Sequence, residues 1–489
     1  MMKLIKQIVK SGAVLLALST VFTSCDELIG ELDNIAPSPV VPTPKTAGTI
    51  SYAETSFLKG SKDPVKTFTN VLTLTGDGTV SYESSNTAVA TVDATGKVTI
   101  VGAGTTTIKA KVSDTDATTY ATNEASYTLK VLDGYTYLKW DDATKQLVSD
   151  IETNYEEISS ATTTWDGSKV LVVKDADVEI TTNITLSGHT TIILCDGAKL
   201  TTKQIHGNSS YTLTIYGQSA QTGKFIAHPD NGGAITMIQE LHVHGGDIEP
   251  IGGSTSNGVK LEGGTKTLNV YGGKLTARGG ANGIYDCKTL NILGGTVEAY
   301  GGTNIGSVYY GIRMASFSDE KISVSNDGRL KVVGGDGTTE DGSSGFFGTL
   351  VARDNAVVEV YGGHADSGDH KGGYAISSGN VEIHDNASVT CIAGNSSGAK
   401  NGNPAIPNNV FYHGGTLIAI GGAKGDSDHN DGKGIGGTLT NSSGGTIYYA
   451  TNTDGSETTF SAPIAMGASD PAKTFSATAP VDRGIKVYK

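Results

Sequence analysis

The chain has 489 residues, of which 66 are glycine, 18% are charged and 7% are aromatic. Glycine well above its usual share of about 7%, without an every-third-residue period, indicates a chain dense in turns rather than a collagen or a bundle of long helices. Hydrophobic residues make up 37% and recur in short runs, which argues against disorder. The formal net charge of −14 disfavours nucleic acid, membrane lipid and acidic polymers as partners, and suits cations and neutral glycans.

Residues 1–24 have the pattern of a secretory signal peptide, with three lysines ahead of an apolar stretch that is too short to span a bilayer. The run Phe22-Thr23-Ser24-Cys25 resembles a bacterial lipoprotein box, although Phe22 stands where leucine is usual. The resemblance implies lipid attachment at Cys25 and an outer-membrane lipoprotein. The alternative is an ordinary cleaved signal. The two acids after Cys25 resemble the export tag of surface-displayed lipoproteins, which implies exposure on the cell.

Residues 25–45 are rich in proline and predict an extended linker. From residue 46 to 132, short alternating segments separated by Gly, Asp and Asn turns predict a β-sandwich. Within it, the run from Tyr82 to Val92 and the segments Thr95-Gly96-Lys97-Val98 and Gly102-Ala103-Gly104-Thr105 resemble the bacterial immunoglobulin-like group 2 (BIG2) module. The resemblance implies a spacer or an adhesive stalk rather than a catalytic domain.

Residues 133–180 are predicted to form a connector and an N-terminal cap for the next domain. Leu147, Ile151, Tyr155 and Ile158 recur at helical spacing, after two aspartates that could cap a helix start. The pattern predicts a short amphipathic helix that covers the open end of the following domain.

From about Val170 the chain repeats itself. Each unit starts with an apolar-x-apolar strand, and the starts are Leu213–Tyr216, Leu241–His244, Leu268–Tyr271, Leu290–Leu293, Ile322–Ser325, Val358–Tyr361, Val381–His384 and Val410–His413. A glycine-rich turn, a second strand and a variable loop follow, and then a third strand. The third strands begin near Val259, Ile284, Ile312, Ile376, Ile406 and Ile435. Three short strands per repeat predict a parallel β-helix over residues 181–489, because each coil buries its inward residues against its neighbours.

The predicted fold is therefore all-β, an N-terminal Ig-like β-sandwich followed by a right-handed parallel β-helix. The hand follows from the chirality rule for parallel crossovers. A β-propeller is disfavoured because its blades need four antiparallel strands each. The segment from Ile192 to Leu200, with Leu213 to Gln218 and the recurring Gly-Gly units, resembles secreted bacterial β-helix proteins of the carbohydrate-binding kind. That resemblance implies glycan binding, and pectate-lyase-like enzymes share the architecture.

Stacked coils bring equivalent residues into columns, and the fourth position of the first strand is expected to face outward or to lie at a corner. The predicted glycan-binding residues in this column are Tyr216, His244, Tyr271, Tyr361, His384 and His413. Rings spaced by one or two coils suit stacking on the sugars of an extended chain. The second position supplies polar partners from His242, Asn269, Asn291, Glu359 and Glu382. The alternative is a ladder that only covers the turn and stiffens the sheet.

A late loop carries Asp426, Asp428 and Asp431, and acids at alternate positions are typical of a calcium loop. The loop departs from the EF-hand pattern, and solvated acids are the alternative. No catalytic residues are predicted, because the acids in the strands form no tight group with an arginine or lysine. Residues 432–437 match a GxGxxG pattern with no helix after them, so no nucleotide is expected.

These patterns predict a surface lipoprotein that binds a polysaccharide or a glycoprotein without chemistry, with the Ig-like domain as a spacer. Calcium is the only cofactor that these patterns indicate. One alternative is a calcium-dependent polysaccharide lyase or glycoside hydrolase on the β-helix. A second is a structural adhesin that binds a host protein.

Overall fold

The structure is a computed structural model that describes residues 45–75, 77–113, 120–303, 309–315 and 320–442, and the strands Thr446–Ala450, Ser461–Ile464, Lys473–Phe475 and Gly484–Tyr488. The predicted signal peptide, Cys25 and the linker up to residue 44 lie outside the described residues. The regular secondary structure of the described residues consists of strands, and these residues contain no helix. Within these ranges, accordingly, no helix has the length and apolar character that crossing a membrane would require.

The chain divides into two compact units. The first comprises Met1–Ser51, Thr73–Ser81 and Lys111–Glu124, and the second comprises Tyr52–Leu72, Tyr82–Ala110 and Ala125–Lys489. All side chains discussed below as candidate sites belong to the second unit.

The N-terminal part is built from short strands, numbered in chain order. They are β1 (Thr46–Ala47), β2 (Thr49–Tyr52), β3 (Ser56–Gly60), β4 (Thr67–Thr69), β5 (Leu72–Thr75), β6 (Val80–Ser84), β7 (Ala90–Val92), β8 (Lys97–Ile100), β9 (Gly104–Val112), β10 (Tyr120–Ala121) and β11 (Asn123–Leu132). They pair in the orders β3-β11-β9-β6, β4-β8-β7, β2-β5 and β1-β10. Side chains alternate between the inside and the outside along β9 and β11. Ile108, Tyr127 and Leu129 point into the core, and the residues next to them are half-buried or exposed.

A β-hairpin follows this sandwich, formed by β12 (Tyr135–Asp141) and β13 (Gln146–Glu152) in antiparallel register. The helix predicted across Leu147 to Ile158 is therefore wrong. Tyr155 lies in the next strand, β14 (Tyr155–Glu157), which pairs in parallel with the first complete coil. Parallel stacking thus begins ahead of the predicted boundary at residue 181.

The rest of the described chain forms three sheets. Consecutive strands along the chain belong to different sheets in a repeating order, as in a parallel β-helix. The first sheet contains, in order, β14, β15 (Val170–Val173), β18 (Thr190–Leu194), β21 (Thr212–Gly217), β24 (Glu240–Val243), β27 (Thr267–Val270), β30 (Thr289–Ile292), β33 (Lys321–Val324), β36 (Thr349–Ala352), β38 (Val381–Ile383), β40 (Val410–Tyr412), β42 (Leu439–Asn441) and β45 (Lys473–Phe475).

The second sheet contains, in order, β16 (Val178–Ile180), β19 (Lys199–Thr202), β22 (Lys224–Ala227), β25 (Asp247–Pro250), β28 (Lys274–Arg278), β31 (Thr296–Tyr300), β34 (Arg329–Val333), β37 (Val357–Tyr361), β39 (Ser388–Ile392), β41 (Thr416–Ile420), β46 (Gly484–Tyr488), β43 (Thr446–Ala450) and β44 (Ser461–Ile464). The third contains β17 (Ile184–Thr185), β20 (Ile205–His206), β23 (Ile235–Ile238), β26 (Val259–Leu261), β29 (Ile284–Cys287), β32 (Ile312–Met314) and β35 (Phe346–Phe347). Neighbouring strands are parallel as far as β42 and β41, and the strands that follow these two pair antiparallel.

The core between the three sheets is a set of apolar columns. Leu241, Leu268, Leu290 and Ile322 occupy equivalent positions on successive coils and are fully buried. Each such side chain packs against the coil before it and the coil after it, so no coil has a core of its own. The predicted parallel β-helix is confirmed, and the third strands start where the repeats indicated, as the pairing of Val259 with Ile284 shows.

A hydrogen-bonded carboxylate joins three segments of the second unit. Asp63 is 6% exposed, and its Oδ2 accepts hydrogen bonds from the backbone N–H of Gly60 (3.1 Å) and the hydroxyl of Thr136 (2.6 Å). Its Oδ1 accepts from the backbone N–H of Thr136 (2.9 Å) and from Nε2 of Gln218 (2.7 Å). This joint connects the end of β3, the start of the hairpin and the residue after β21.

Candidate ligand-binding faces of the β-helix

The predicted aromatic column exists in the first coils. The strand register places Tyr216, His244 and Tyr271 on successive coils, directly after equivalent inward residues. The ring centroids of Tyr216 and His244 are 4.6 Å apart, and those of His244 and Tyr271 are 4.3 Å apart with an interplanar angle of 20°. The spacing follows from the separation of about 4.8 Å between neighbouring parallel strands.

The hairpin covers this column. The rings of Tyr137 and Tyr216 lie 4.6 Å apart, those of Trp140 and Tyr271 lie 5.6 Å apart, and the backbone N–H of Trp140 donates to Nδ1 of His244 at 3.0 Å. Burial raises the pKa of Tyr216 and of Tyr271 and lowers that of His244 to about 3. The outer side of these three rings is therefore occupied by the chain's own tyrosine and tryptophan.

Tyr361 lies elsewhere. The sequence pattern put Val358–Tyr361 in the first sheet, but β37 belongs to the second sheet, and Arg353 takes the corresponding place in the aromatic column. Further along, His384 and His413 are stacked with their centroids 4.5 Å apart. His413 is exposed and donates to or accepts from the hydroxyl of Ser442 at 2.6 Å. Partial burial and the neighbouring His384 lower the pKa of His413.

The second-position residues form a polar ladder beside the aromatic column. Nδ2 of Asn269 contacts Nδ1 of His242 at 3.1 Å, and Nδ2 of Asn291 donates to Oδ1 of Asn269 at 2.9 Å. Glu382 occupies the same column further along, whereas Glu359 lies in the second sheet with Tyr361. His242, Asn269 and Asn291 thus contact one another across neighbouring strands, which stabilises the sheet.

A different face brings aromatic and charged side chains together on four successive coils of the second sheet. We call it the Tyr300 face, and it consists of Arg278, Glu298, Tyr300, Lys331, Glu359 and Tyr361. These residues alternate with fully buried ones in β28, β31, β34 and β37, so their side chains point outward. Tyr300 and Tyr361 share one column, two coils apart, which corresponds to a separation of about 9.6 Å.

Cation–π contacts and ion pairs hold the Tyr300 face in place. The guanidinium carbon of Arg278 lies 4.1 Å from the centroid of Tyr300, and Nζ of Lys331 lies 5.9 Å from that of Tyr361. Glu298 accepts hydrogen bonds from the Tyr300 hydroxyl (3.1 Å) and from Nζ of Lys274 (2.9 Å). Burial raises the pKa of Glu298, but these two hydrogen bonds outweigh it and hold that pKa below its usual value.

Sequence reasoning missed Arg278, Tyr300 and Lys331. The signal was available in the second strands, which read Leu275-Thr-Ala-Arg278, Val297-Glu-Ala-Tyr300 and Leu330-Lys-Val-Val333. Aligned with these strands, Val358-Glu-Val-Tyr361 completes the column. The apolar-x-apolar pattern is the same in both sheets, so the pattern alone did not separate them.

The acids of the predicted calcium loop contact their own loop. Asp426 accepts from the backbone N–H of Asp428 at 3.1 Å and forms a short hydrogen bond with Nδ1 of His429, which lowers the pKa of the Asp426 carboxyl. Asp431 accepts from the backbone N–H of Lys424 at 2.9 Å. Across the part of the chain that the structure describes, no three His, Cys, Asp or Glu side chains are grouped so that they could hold a metal ion.

Comparison with known proteins places a bacterial Ig-like domain in the sandwich. Residues 70–118 match the family described as intimin, immunoglobulin-like domain. A stretch of 56 residues is 50% identical to intimin of Escherichia coli O157:H7, and it covers 12% of this chain and 6% of that protein. No solved structure matches the chain. The predicted Ig-like sandwich is thus confirmed, and the chain combines it with a parallel β-helix.

Proposed function

We propose that this is a bacterial surface protein of the adhesin type. It binds an extended glycan along its β-helix and does not catalyse a reaction on it. The Ig-like domain supports the adhesin class through its similarity to intimin. The predicted lipoprotein box supports attachment to the outer membrane through a lipid on Cys25, with exposure on the cell surface.

The proposal of glycan binding depends on one observation, the arrangement of side chains on the Tyr300 face. Two tyrosine rings in one column, two coils apart, can stack on alternate sugars of a chain that runs along the coils. The carboxylates and ammonium groups beside them, Glu298, Glu359 and Lys331, can hydrogen-bond hydroxyls on both sides. A flat polar face with rings at regular spacing fits an extended polysaccharide or a glycoprotein glycan better than a compact ligand.

Replacing both tyrosines tests this proposal. A glycan array probed with the full chain should show binding to at least one polysaccharide, and the double variant Tyr300→Ala, Tyr361→Ala should weaken that binding by about tenfold or more, which corresponds to 1.4 kcal/mol. The matched control is Tyr285→Ala, because Tyr285 pairs with Arg313 at 5.4 Å on the third sheet, away from this face. The control should bind like the wild-type chain.

Two results would count against the proposal. An array without any bound glycan, while the chain still adheres to a host protein, would favour the protein-binding adhesin. Cleavage of a bound polysaccharide that depends on added calcium would favour the lyase or hydrolase.

A further inference from the structure

A cleft lies between the Ig-like sandwich and the first coils of the β-helix, within the second unit. Its volume is about 330 Å³. That is the lower end of the range for small-molecule sites, which often lie where two structural modules meet. One wall is apolar and is formed by Val65, Phe68 and Ile100. A second wall, contributed by the first coils, contains Asp196, Gly197 and Thr222.

The cleft is accessible and contains unfilled space. Val65 is 55% exposed, although it is a large apolar residue. A methyl group on the Cα of Gly197 would meet no atom within 4 Å. Apolar surface next to polar residues in a cleft of this volume fits a ligand that has both an apolar and a polar face.

Lys59 supplies an unused hydrogen-bond donor to this cleft. Its Nζ lies 5.2 Å from the ring centroid of Phe68 and 5.9 Å from that of Phe57. Among the described residues, the Lys59 ammonium has neither a hydrogen-bond acceptor nor a salt-bridge partner at contact distance. Burial lowers its pKa, although Asp63 and Asp196 oppose this effect. A partly desolvated ammonium gains free energy when a ligand oxygen accepts a hydrogen bond from it.

The two carboxylates near Lys59 are already engaged by the chain. Asp63 accepts the four hydrogen bonds of the joint described above. Asp196 accepts from the backbone N–H of Ala220 (3.0 Å) and from the backbone N–H of Thr222 (3.3 Å). The two carboxylates would repel a ligand carboxylate, and the Lys59 ammonium would repel a ligand cation. A neutral hydroxyl can accept from Lys59 and donate to Asp196, and so it satisfies both.

We infer that this cleft binds one neutral sugar residue, with the C–H face of the sugar on Phe68 and Val65 and its hydroxyls on Lys59 and Asp196. Sugars combine an apolar face with hydroxyl groups, and the two walls match that division. The inference goes beyond the proposed function, because no residue of the Tyr300 face lines the cleft.

Ligand-observed NMR on the full chain tests it, with D-glucose, D-galactose and N-acetyl-D-glucosamine as probes and D-glucuronate as the anionic comparison. We expect at least one neutral sugar to bind. Lys59→Met should weaken that binding by about tenfold, because it removes a charged hydrogen-bond donor but keeps the side chain's length. The control is Lys130→Met, since Lys130 is exposed on β11 of the same sandwich and does not line the cleft.

A second variant keeps the test valid if Lys59→Met impairs folding. Ala220→Trp adds bulk at an exposed residue that lines the cleft, and it should abolish binding while leaving the melting curve close to that of the wild-type chain. The inference is overturned if no neutral sugar binds, if glucuronate binds more tightly than every neutral probe, or if Ala220→Trp binds like the wild type. The Tyr300→Ala, Tyr361→Ala variant should still bind the sugar in the cleft. The experiments therefore distinguish failure of this inference from failure of the proposed function.

Discussion

The fold holds the imidazole of His244 in its neutral form. It is 9% exposed, lies between the rings of Tyr216 and Tyr271, and accepts a hydrogen bond from Trp140 at Nδ1. A neutral imidazole that accepts at Nδ1 carries its proton on Nε2. Desolvation lowers its pKa to about 3 from an ordinary value of 6.5, so the ring is neutral at neutral pH.

We expect acid to destabilise the protein through His244. In the unfolded chain the imidazole binds a proton below pH 6.5, whereas in the folded chain it does so only near pH 3. Stability is therefore complete above pH 6.5 and falls as the pH decreases toward 3, by at most about 1.4 kcal/mol per pH unit. Denaturant unfolding at several pH values measures this. The variant His244→Gln should show a shallower pH dependence over that range, and an equal slope would contradict the assignment.

Tyr361 shows where residue-level prediction from the sequence stops. The repeats correctly aligned Tyr216, His244 and Tyr271, because each follows an inward strand of the same pattern. The strand that contains Tyr361 has the same pattern, but the true first-sheet strand of that coil contains Leu350-Val351-Ala352 and is followed by Arg353. Only strand pairing distinguishes the two sheets, and a local pattern contains no information about pairing partners.

The hairpin is the element that the sequence pattern misjudged. Four apolar positions at helical spacing predicted a helix, but the preceding Tyr135-Thr136-Tyr137 run has the β-branched and aromatic character of a strand. The turn is closed by Lys145, whose φ of 56° lies in the left-handed region. Packing of Tyr137 and Trp140 on the aromatic column then adds tertiary stabilisation that a local helix would lack.

Asp63 connects elements, and we expect its replacement to be costly. Asp63→Ala removes, in a buried position, the acceptor of the Thr136 backbone N–H, of the Thr136 hydroxyl and of one N–H of Gln218, whereas the Gly60 N–H still donates to the Thr136 hydroxyl oxygen at 2.8 Å. The free energy of unfolding should fall by roughly 3 kcal/mol, because each buried donor left unpaired has a desolvation cost. Equilibrium denaturation measures the change.

Asp133→Ala is the matched control for Asp63. Asp133 contacts the same segment, through Ser61 at 2.7 Å and Lys62 at 3.3 Å, but it is exposed and its ion pair is screened by water. Its replacement should have a small effect. Similar losses for the two variants would show that burial of the joint does not matter.

At the scale of the whole molecule, the sequence predicted the coil arrangement because each sequence repeat corresponds to one coil. Third-sheet starts such as Ile376, Ile406 and Ile435 were identified from spacing alone, and they form isolated parallel bridges after the last regular third-sheet strand. The late coils thus keep the stacking even where regular strands end. What the repeats did not predict is which outward face stays free, because that depends on where the hairpin packs.

Stability of the stacked coils should depend on the inward columns far more than on the outward ladders. Leu290 is fully buried between Leu268 and Ile322 of the adjacent coils, and Asn291, the next residue, donates one hydrogen bond outward to Asn269. Leu290→Ala should lower the unfolding free energy by about 3 kcal/mol, since it leaves a cavity that two coils line.

Asn291→Ala should lower it by about 1 kcal/mol, the usual net contribution of one hydrogen bond. The two residues share a strand, so chemical denaturation compares them at a single position in the stack. If the coils stacked in another register, Leu290 would face outward, because a shift by one residue exchanges the two faces of a strand. A larger loss for Asn291→Ala than for Leu290→Ala would therefore contradict the parallel register on which both proposed sites depend.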